Sequence, residues 1–164
     1  MVPTAIFCRG TFLTNDVLCF DGDLNSMKRI LFVCVENSNR SQMAEAFARI
    51  HGGDKVEVYS AGSRPSGTIN PKAIEAMKAV GYDLSSHQSK SLSELPEPEF
   101  DFVATMGCGD ECPLVRSKVH EDWKIPDPKE MPMDEFRKVR DLIESRVLRL
   151  LSDLEITGHR RWQS

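Results

Sequence analysis

The sequence predicts an α/β protein of three layers: a four-stranded parallel sheet with helices on both faces. Three observations lead there. Short apolar runs alternate along the chain with segments whose apolar residues recur at helical spacing. One of the runs, Ile30-Leu31-Phe32-Val33, is continuous, as expected of a strand buried on both faces. The chain has 164 residues, one domain's length, so the alternating elements belong to one sheet. Strands separated by helices pair in parallel, because each helix carries the chain back over the sheet.

Residues 1–26 stand apart. Gly10, Asn15, Asp16, Asp21, Gly22, Asp23 and Asn25 interrupt every apolar run, so a poorly ordered extension is expected, with Met27 a plausible natural start. A single catalytic domain is expected over residues 27–156 and a basic tail over 157–164. The first strand is followed by Gln42 to Ile50, rich in helix formers, with Met43, Phe47 and Ile50 at helical spacing. His51-Gly52-Gly53-Asp54 stops that helix. Val56 to Gly62 alternates and predicts a second strand. A loop over Ser63 to Asn70 leads to a helix with Asn70 as N-cap and Pro71 at its first position. Ala73, Ile74 and Met77 form its apolar face and Gly81 ends it. Asp83 to Ser93 is polar and irregular, and His87 within it is expected to be solvated. Phe100 to Met106 is a third strand, running into a turn with Cys108 and Cys112. Val119 to Ile125 holds a fourth strand, broken by Pro126-Asp127-Pro128. Met133 to Leu154 is a long amphipathic helix with Phe136, Val139, Ile143, Val147, Leu150 and Leu154 on one stripe and Asp134 as its N-cap.

Composition narrows the function. A net charge of −4, from 21 basic and 25 acidic residues, gives no electrostatic case for nucleic acid or an anionic membrane. No apolar run approaches the length of a membrane span. The cysteines, Cys8, Cys19, Cys34, Cys108 and Cys112, are odd in number and follow no convincing export signal. That fits a cytoplasmic, reducing setting, where thiols serve catalysis or redox chemistry more often than structure.

The chemistry concentrates in Cys34-Val35-Glu36-Asn37-Ser38-Asn39-Arg40-Ser41, between the first strand and the first helix. A helix start offers unpaired N–H groups and a positive dipole end, and successive N–H groups in such a turn form an anion-binding nest. Arg40 adds a planar fork of donors for two oxygens of a tetrahedral anion. The field that binds an anion also favours a thiolate at Cys34. Ser41 suits either capping the helix or donating to that thiolate. The expected ligand is a phosphate or arsenate oxyanion. In parallel sheets ligands bind beyond the carboxyl ends of the strands. Cys34, the 62–70 loop, Cys108 and the Asp127 loop all follow strands and are expected to converge.

Such a thiolate has two uses. It attacks the phosphorus of an ester while Asp127, in a loop stiffened by prolines, protonates the leaving alcohol. Or it attacks arsenate: a second thiol then attacks the Cys34 sulfur, arsenite leaves, and the resulting disulfide passes to a third thiol. Cys108 and Cys112, beside Gly107 and Gly109, are spaced for that relay. One short cysteine pair without a second is a weak zinc signal, and no metal site is expected.

Lys28 to about Leu154 resembles the low-molecular-weight protein tyrosine phosphatase superfamily and, within it, the thioredoxin-coupled arsenate reductases. The similar segments are FVCVENSNRSQMAEAFAR (32–49), YSAGSRPSGTINPKAIEAMKAVGYDLSSHQSKSL (59–92), FVATMGCGDECP (102–113), DWKIPDP (122–128) and FRKVRDLI (136–143). The resemblance implies the low-molecular-weight phosphatase fold, Cys34 as nucleophile and Arg40 as oxyanion clamp. It implies that Asn37 and Ser41 order the anion loop and stabilise the thiolate; by their place in the loop Glu36, Ser38 and Asn39 are expected among the oxyanion-binding and loop-ordering residues with them. Asp127 is implied as proton donor, and Cys108 and Cys112 as resolving and relay thiols, in either order. It also implies a monomer with no bound cofactor, re-reduced by an external thiol donor such as thioredoxin, glutaredoxin or a mycothiol-type thiol.

Two departures stand in the loop. The family usually has Gly where this chain has Glu36, and a carboxylate beside an anion cradle is unfavourable unless it points outward. A second loop cysteine is common where this chain has Asn39. The phosphatase branch walls its cleft with aromatics, worth about 0.5–1.5 kcal/mol each beyond area burial. Here Ser63 to Asn70 holds none, and Lys129, Glu130 and Met131 follow Asp127-Pro128. Arsenate needs no such walls, and a phosphatase has no use for Cys108 and Cys112. Arsenate reduction is therefore the expected activity and phosphate-monoester hydrolysis the alternative.

Overall fold

The computed structural model describes residues 27–96, 99–107 and 115–156. Strand β1 (Lys28–Cys34) leads through the anion loop into α1 (Arg40–Gly52), then β2 (Val56–Gly62) and α2 (Pro71–Lys78). Strands β3 (Phe100–Thr105) and β4 (Ser117–Asp122) follow, then α3 (Met133–Asp153). The four strands are ordered β2-β1-β3-β4, and all neighbours are parallel. This is the predicted α/β sheet.

Alternation along β1 divides the core. Ile30, Phe32 and Cys34 face a large cluster to which α1, α2 and α3 contribute Met43, Phe47, Ala73, Met77, Phe136 and Ile143. Leu31 and Val33 face a smaller cluster with Ala61, Phe100 and Val103. There the side chains of Leu92 and Leu95 pack from a 3-10 turn at Leu92–Glu94 and its exit. Helix α1 is buried from Arg40 to Ala48, packed between the sheet and α3. Its polar residues Ser41, Gln42 and Glu45 are buried too, so each needs partners.

Register fixes where the loops emerge. Cys34 pairs with Gly62, Val33 with Thr105, and Thr105 with Asp122. The four strands therefore end side by side, and the segments that follow them leave one edge of the sheet together.

Several boundaries differ from the sequence reading. Ile50 is 43% exposed and does not join Met43 and Phe47 in the core. Pro132 occupies the N-cap position of α3, and Asp134 lies in its first turn, where a carboxylate suits the dipole. Helix α2 ends at Lys78, and the chain turns through Gly81 at φ 87°. Strand β4 begins at Ser117 and ends at Asp122, with Trp123 and Ile125 buried beyond it. Its pairing with β3, continued by the Trp123 N–H donating to Thr105 O (2.7 Å), sets its limits. The extension at 1–26, the tail at 157–164, and Cys108 and Cys112 lie outside the described residues. Among the described residues no helix is long and apolar enough to cross a membrane.

Candidate active site

The anion loop is built against its neighbour. The N–H groups of Ser63, Arg64, Ser66 and Asn70 donate to the carbonyls of Cys34, Val35, Glu36 and Ser38 (2.8–3.2 Å). These bonds engage four of the loop's carbonyls, and a nest binds an anion through its N–H groups. Gly62 makes this packing achievable. A Cβ there would lie 2.6 Å from the Val35 oxygen and 3.0 Å from the Asn37 nitrogen. Asn37 adopts φ 49°, a left-handed turn that Asn tolerates better than most residues.

Cys34 ends β1 and is 3% exposed. The Asn37 N–H donates to its sulfur (3.2 Å), and Ser41 Oγ lies 2.9 Å from the same atom. Asn37 Nδ2 donates to Ser41 Oγ (2.8 Å). An amide nitrogen only donates, so Ser41 accepts there; toward Cys34 either atom can donate, and when Cys34 is a thiolate, which has no proton, the hydroxyl is the donor. The capping role read for Ser41 is absent. It lies inside α1, whose N-cap, Asn39, makes no side-chain capping bond.

The network continues inward. Asn37 Oδ1 accepts from the Lys90 N–H (2.8 Å) and Gln42 Nε2 (2.9 Å). Gln42 Nε2 also reaches Gln88 O (2.9 Å), which turns Gln42 Oε1 toward His87 Nδ1 (2.9 Å). His87 therefore donates through Nδ1, and in the neutral ring Nε2 accepts from Tyr82 Oη (3.0 Å). Burial pushes the His87 pKa below its ordinary value, in keeping with a neutral ring. The expectation of a solvated His87 is corrected: it is half-buried with a partner on each nitrogen. Behind it Glu45, 2% exposed, meets Arg49 (2.7 Å), Ser60 Oγ and Lys90 Nζ (3.9 Å).

Arg40, 7% exposed, is held from two sides. Nη1 donates to Ile125 O (3.1 Å), and Nη2 lies 3.4 Å from Asp127 Oδ2. The third wall is Gly107, at φ 70°, where a Cβ would stand 3.1 Å from Arg40 Nη1. The Asp127 carboxylate is itself half exposed and accepts the Lys129 N–H (3.2 Å). Cys34, Arg40 and Asp127 are thus brought to one place, as the strand ends require.

Glu36 points to the rim. One carboxylate oxygen meets Lys129 Nζ at 2.7 Å and the other accepts from Ser38 Oγ (3.3 Å). The hydrogen bond from Lys129 holds its pKa below the ordinary carboxylate value. Asn39 is buried, donates weakly to Ser38 Oγ (3.4 Å), and its Oδ1 has no partner among the described residues. Gln42, Gly62, His87, Lys90, Gly107 and Lys129 were not singled out in the sequence as site residues. The available signal was a polar Gln and Glu on the buried face of a helix, and glycines at or just past the ends of two strands. Among the described residues no group of His, Cys, Asp or Glu is arranged to hold a metal.

Comparison with known proteins agrees with this arrangement. "Arsenate reductase 2" of Staphylococcus epidermidis is 43% identical over 124 residues, covering 73% of this chain and 93% of its own. A solved arsenate reductase in a phosphate-binding state superposes with a TM-score of 0.72 at 38% identity, covering 77% of this chain and 98% of that one. The thioredoxin-dependent arsenate reductase of Corynebacterium glutamicum superposes with a TM-score of 0.66 at 32% identity, over 81% of this chain and 64% of that one. The family description "low molecular weight phosphotyrosine protein phosphatase" matches residues 29–159, which span β1, the anion loop, the Asp127 loop and α3, and the chain belongs to that family.

Proposed function

We propose that this protein is a thiol-dependent arsenate reductase. In this reading the anion loop and Arg40 bind arsenate, and the Cys34 thiolate attacks arsenic. Asp127 protonates the departing oxygen, which leaves as water. A second thiol, from Cys108 or Cys112, attacks the Cys34 sulfur. The electron pair of the S–As bond goes to arsenic, arsenite leaves as As(III), and a Cys34 disulfide remains. The remaining thiol of the pair takes over that disulfide, and an external dithiol of the thioredoxin or glutaredoxin type reduces it. Residues 27–156 act as a single catalytic domain in the cytoplasm, as a monomer with no bound cofactor.

One observation carries this reading furthest. Gly107 packs against Arg40, and Cys108 is the next residue in sequence. Gly107 is the last described residue at that wall, and the sequence that continues directly from it, Cys108 to Cys112, carries both distal thiols. The similarity to arsenate reductases, one of them thioredoxin-dependent, supports the same assignment. Monoester hydrolysis is the second reading, since Cys34, Arg40 and Asp127 suffice for it.

The test is arsenate-dependent NADPH oxidation through thioredoxin and its reductase, for the wild type, Cys108→Ser and Cys112→Ser. Hydrolysis of p-nitrophenyl phosphate is followed in parallel. Arsenate turnover that either substitution abolishes, with ester hydrolysis retained, is expected. Absence of arsenate turnover with thioredoxin, glutaredoxin and mycothiol donors, beside fast hydrolysis needing Cys34 and Asp127 alone, makes the protein a phosphatase.

A further inference from the structure

Glu36 is the single carboxylate of the 34–41 loop, and even at the rim its negative charge opposes the binding of an anion. Arg40, the cation of that loop, acts on this carboxylate as well as on any bound anion. Left uncompensated, Glu36 would therefore weaken the attraction of the site for an anion. Its actual partner is Lys129, 93 residues away in the loop after Asp127.

The backbone of that loop is fixed independently. The Lys129 N–H donates to Asp127 Oδ1, while Lys72 Nζ of α2 donates to Lys129 O (3.3 Å) and Met131 O (2.8 Å). The Lys129 side chain thus starts from a held position and reaches back to the anion loop. The pair is exposed by roughly half on the lysine side and a third on the glutamate side. Exposed pairs contribute little to stability, so the consequence belongs to the local field instead.

Building on the oxyanion site of the proposed function, we propose that Glu36 and Lys129 form a charge-compensating latch across the mouth. Lys129 is a positioning residue that sets the affinity for small oxyanions by neutralising and holding Glu36. The latch also joins the anion loop to the loop that carries Asp127.

The probe is inorganic phosphate, read by its protection of Cys34 from iodoacetamide, with the Cys34 peptide quantified by mass spectrometry. Wild type, Lys129→Gln, Lys129→Arg, Glu36→Gln and the Glu36→Gln/Lys129→Gln double variant are compared. Lys129→Gln is expected to weaken phosphate binding by about three- to tenfold at low ionic strength, and less as salt is added. Lys129→Arg should stay within about twofold of wild type, since the charge is kept. Glu36→Gln should bind at least as tightly as wild type, and the double variant should recover most of the loss. A Lys129→Gln protein that binds phosphate as wild type does overturns the latch. So does a double variant as weak as Lys129→Gln alone, because Lys129 would then not act through Glu36. No arsenate turnover enters these readings, so failure of the latch and failure of the reductase assignment are separate results.

Discussion

Ser41 shows how much of this site depends on the direction of a single proton. Asn37 Nδ2 donates to Ser41 Oγ, which lies 2.9 Å from Cys34 Sγ and donates to it when the sulfur is a thiolate. Hydrogen bonds to a charged partner contribute about 1.5–3 kcal/mol, so Ser41→Ala, which removes the hydroxyl beside the nucleophile and the acceptor of Asn37 Nδ2, should lower kcat for p-nitrophenyl phosphate hydrolysis by about tenfold or more. Steady-state kinetics measure this, and an unchanged kcat would show that the hydroxyl does not act on the nucleophile. Gly62 is as exacting for a steric reason. Gly62→Ala should lower both the melting temperature and phosphate affinity, because the new Cβ meets backbone atoms of Val35 and Asn37 that no rotamer change can move. Calorimetry with and without phosphate separates the two effects. Cys34 and Arg40 were legible in the sequence because their chemistry is carried by residue type and spacing. Gln42 and His87 were not. Their role arises from a contact 45 residues apart that only the packed molecule creates.

Helix α2 follows its local signals closely. Asn70 Oδ1 accepts the Lys72 N–H (2.9 Å), and Pro71 occupies the first turn, as the Asn-Pro pair predicts. Asn70→Ala should cost about 1 kcal/mol, read as a lower urea midpoint at unchanged slope. The same loop donates the Asn70 N–H to Ser38 O, so the cap also steadies the anion loop. Helix α3 depends instead on its stripe. Ile143 is fully buried in the cluster shared with α1, and Ile143→Ala should destabilise by about 2–5 kcal/mol in the same experiment. That stripe was legible because its spacing of three and four residues holds over about five turns of chain. Strand β4 was placed with a late start for the opposite reason. Its residues are mostly exposed, and Lys118, His120, Glu121 and Asp122 give little apolar signal. Such charge is what an edge strand needs to avoid pairing with another chain, and only the register with β3 defines it.

The convergence of the loops was legible because parallel topology leaves few alternatives: strands of one direction end on one side. The depth of the site was not, since a run of Tyr82, His87, Gln42, Asn37 and Ser41 behind Cys34 has no linear signature. That run couples an ionisable group to the stability of the whole molecule. Burial lowers the His87 pKa in the folded protein below the ordinary value of 6.5, so between those two values the unfolded chain binds more protons than the native one. Stability then rises with pH across that window. The contribution is fully present above about 6.5 and is lost as pH falls through the folded value. Protonation would also place a second donor, Nε2–H, against the Tyr82 hydroxyl, which must then turn its own proton elsewhere. Urea unfolding of wild type and His87→Gln from pH 7.5 to 5 tests this. The carboxylates and the remaining histidines are common to both proteins and largely cancel in the difference. The wild type should lose stability more steeply than the variant on acidification below pH 6.5. A stability difference that stays level across the window would show that His87 titrates alike in both states, and that the ring is not held neutral by the fold.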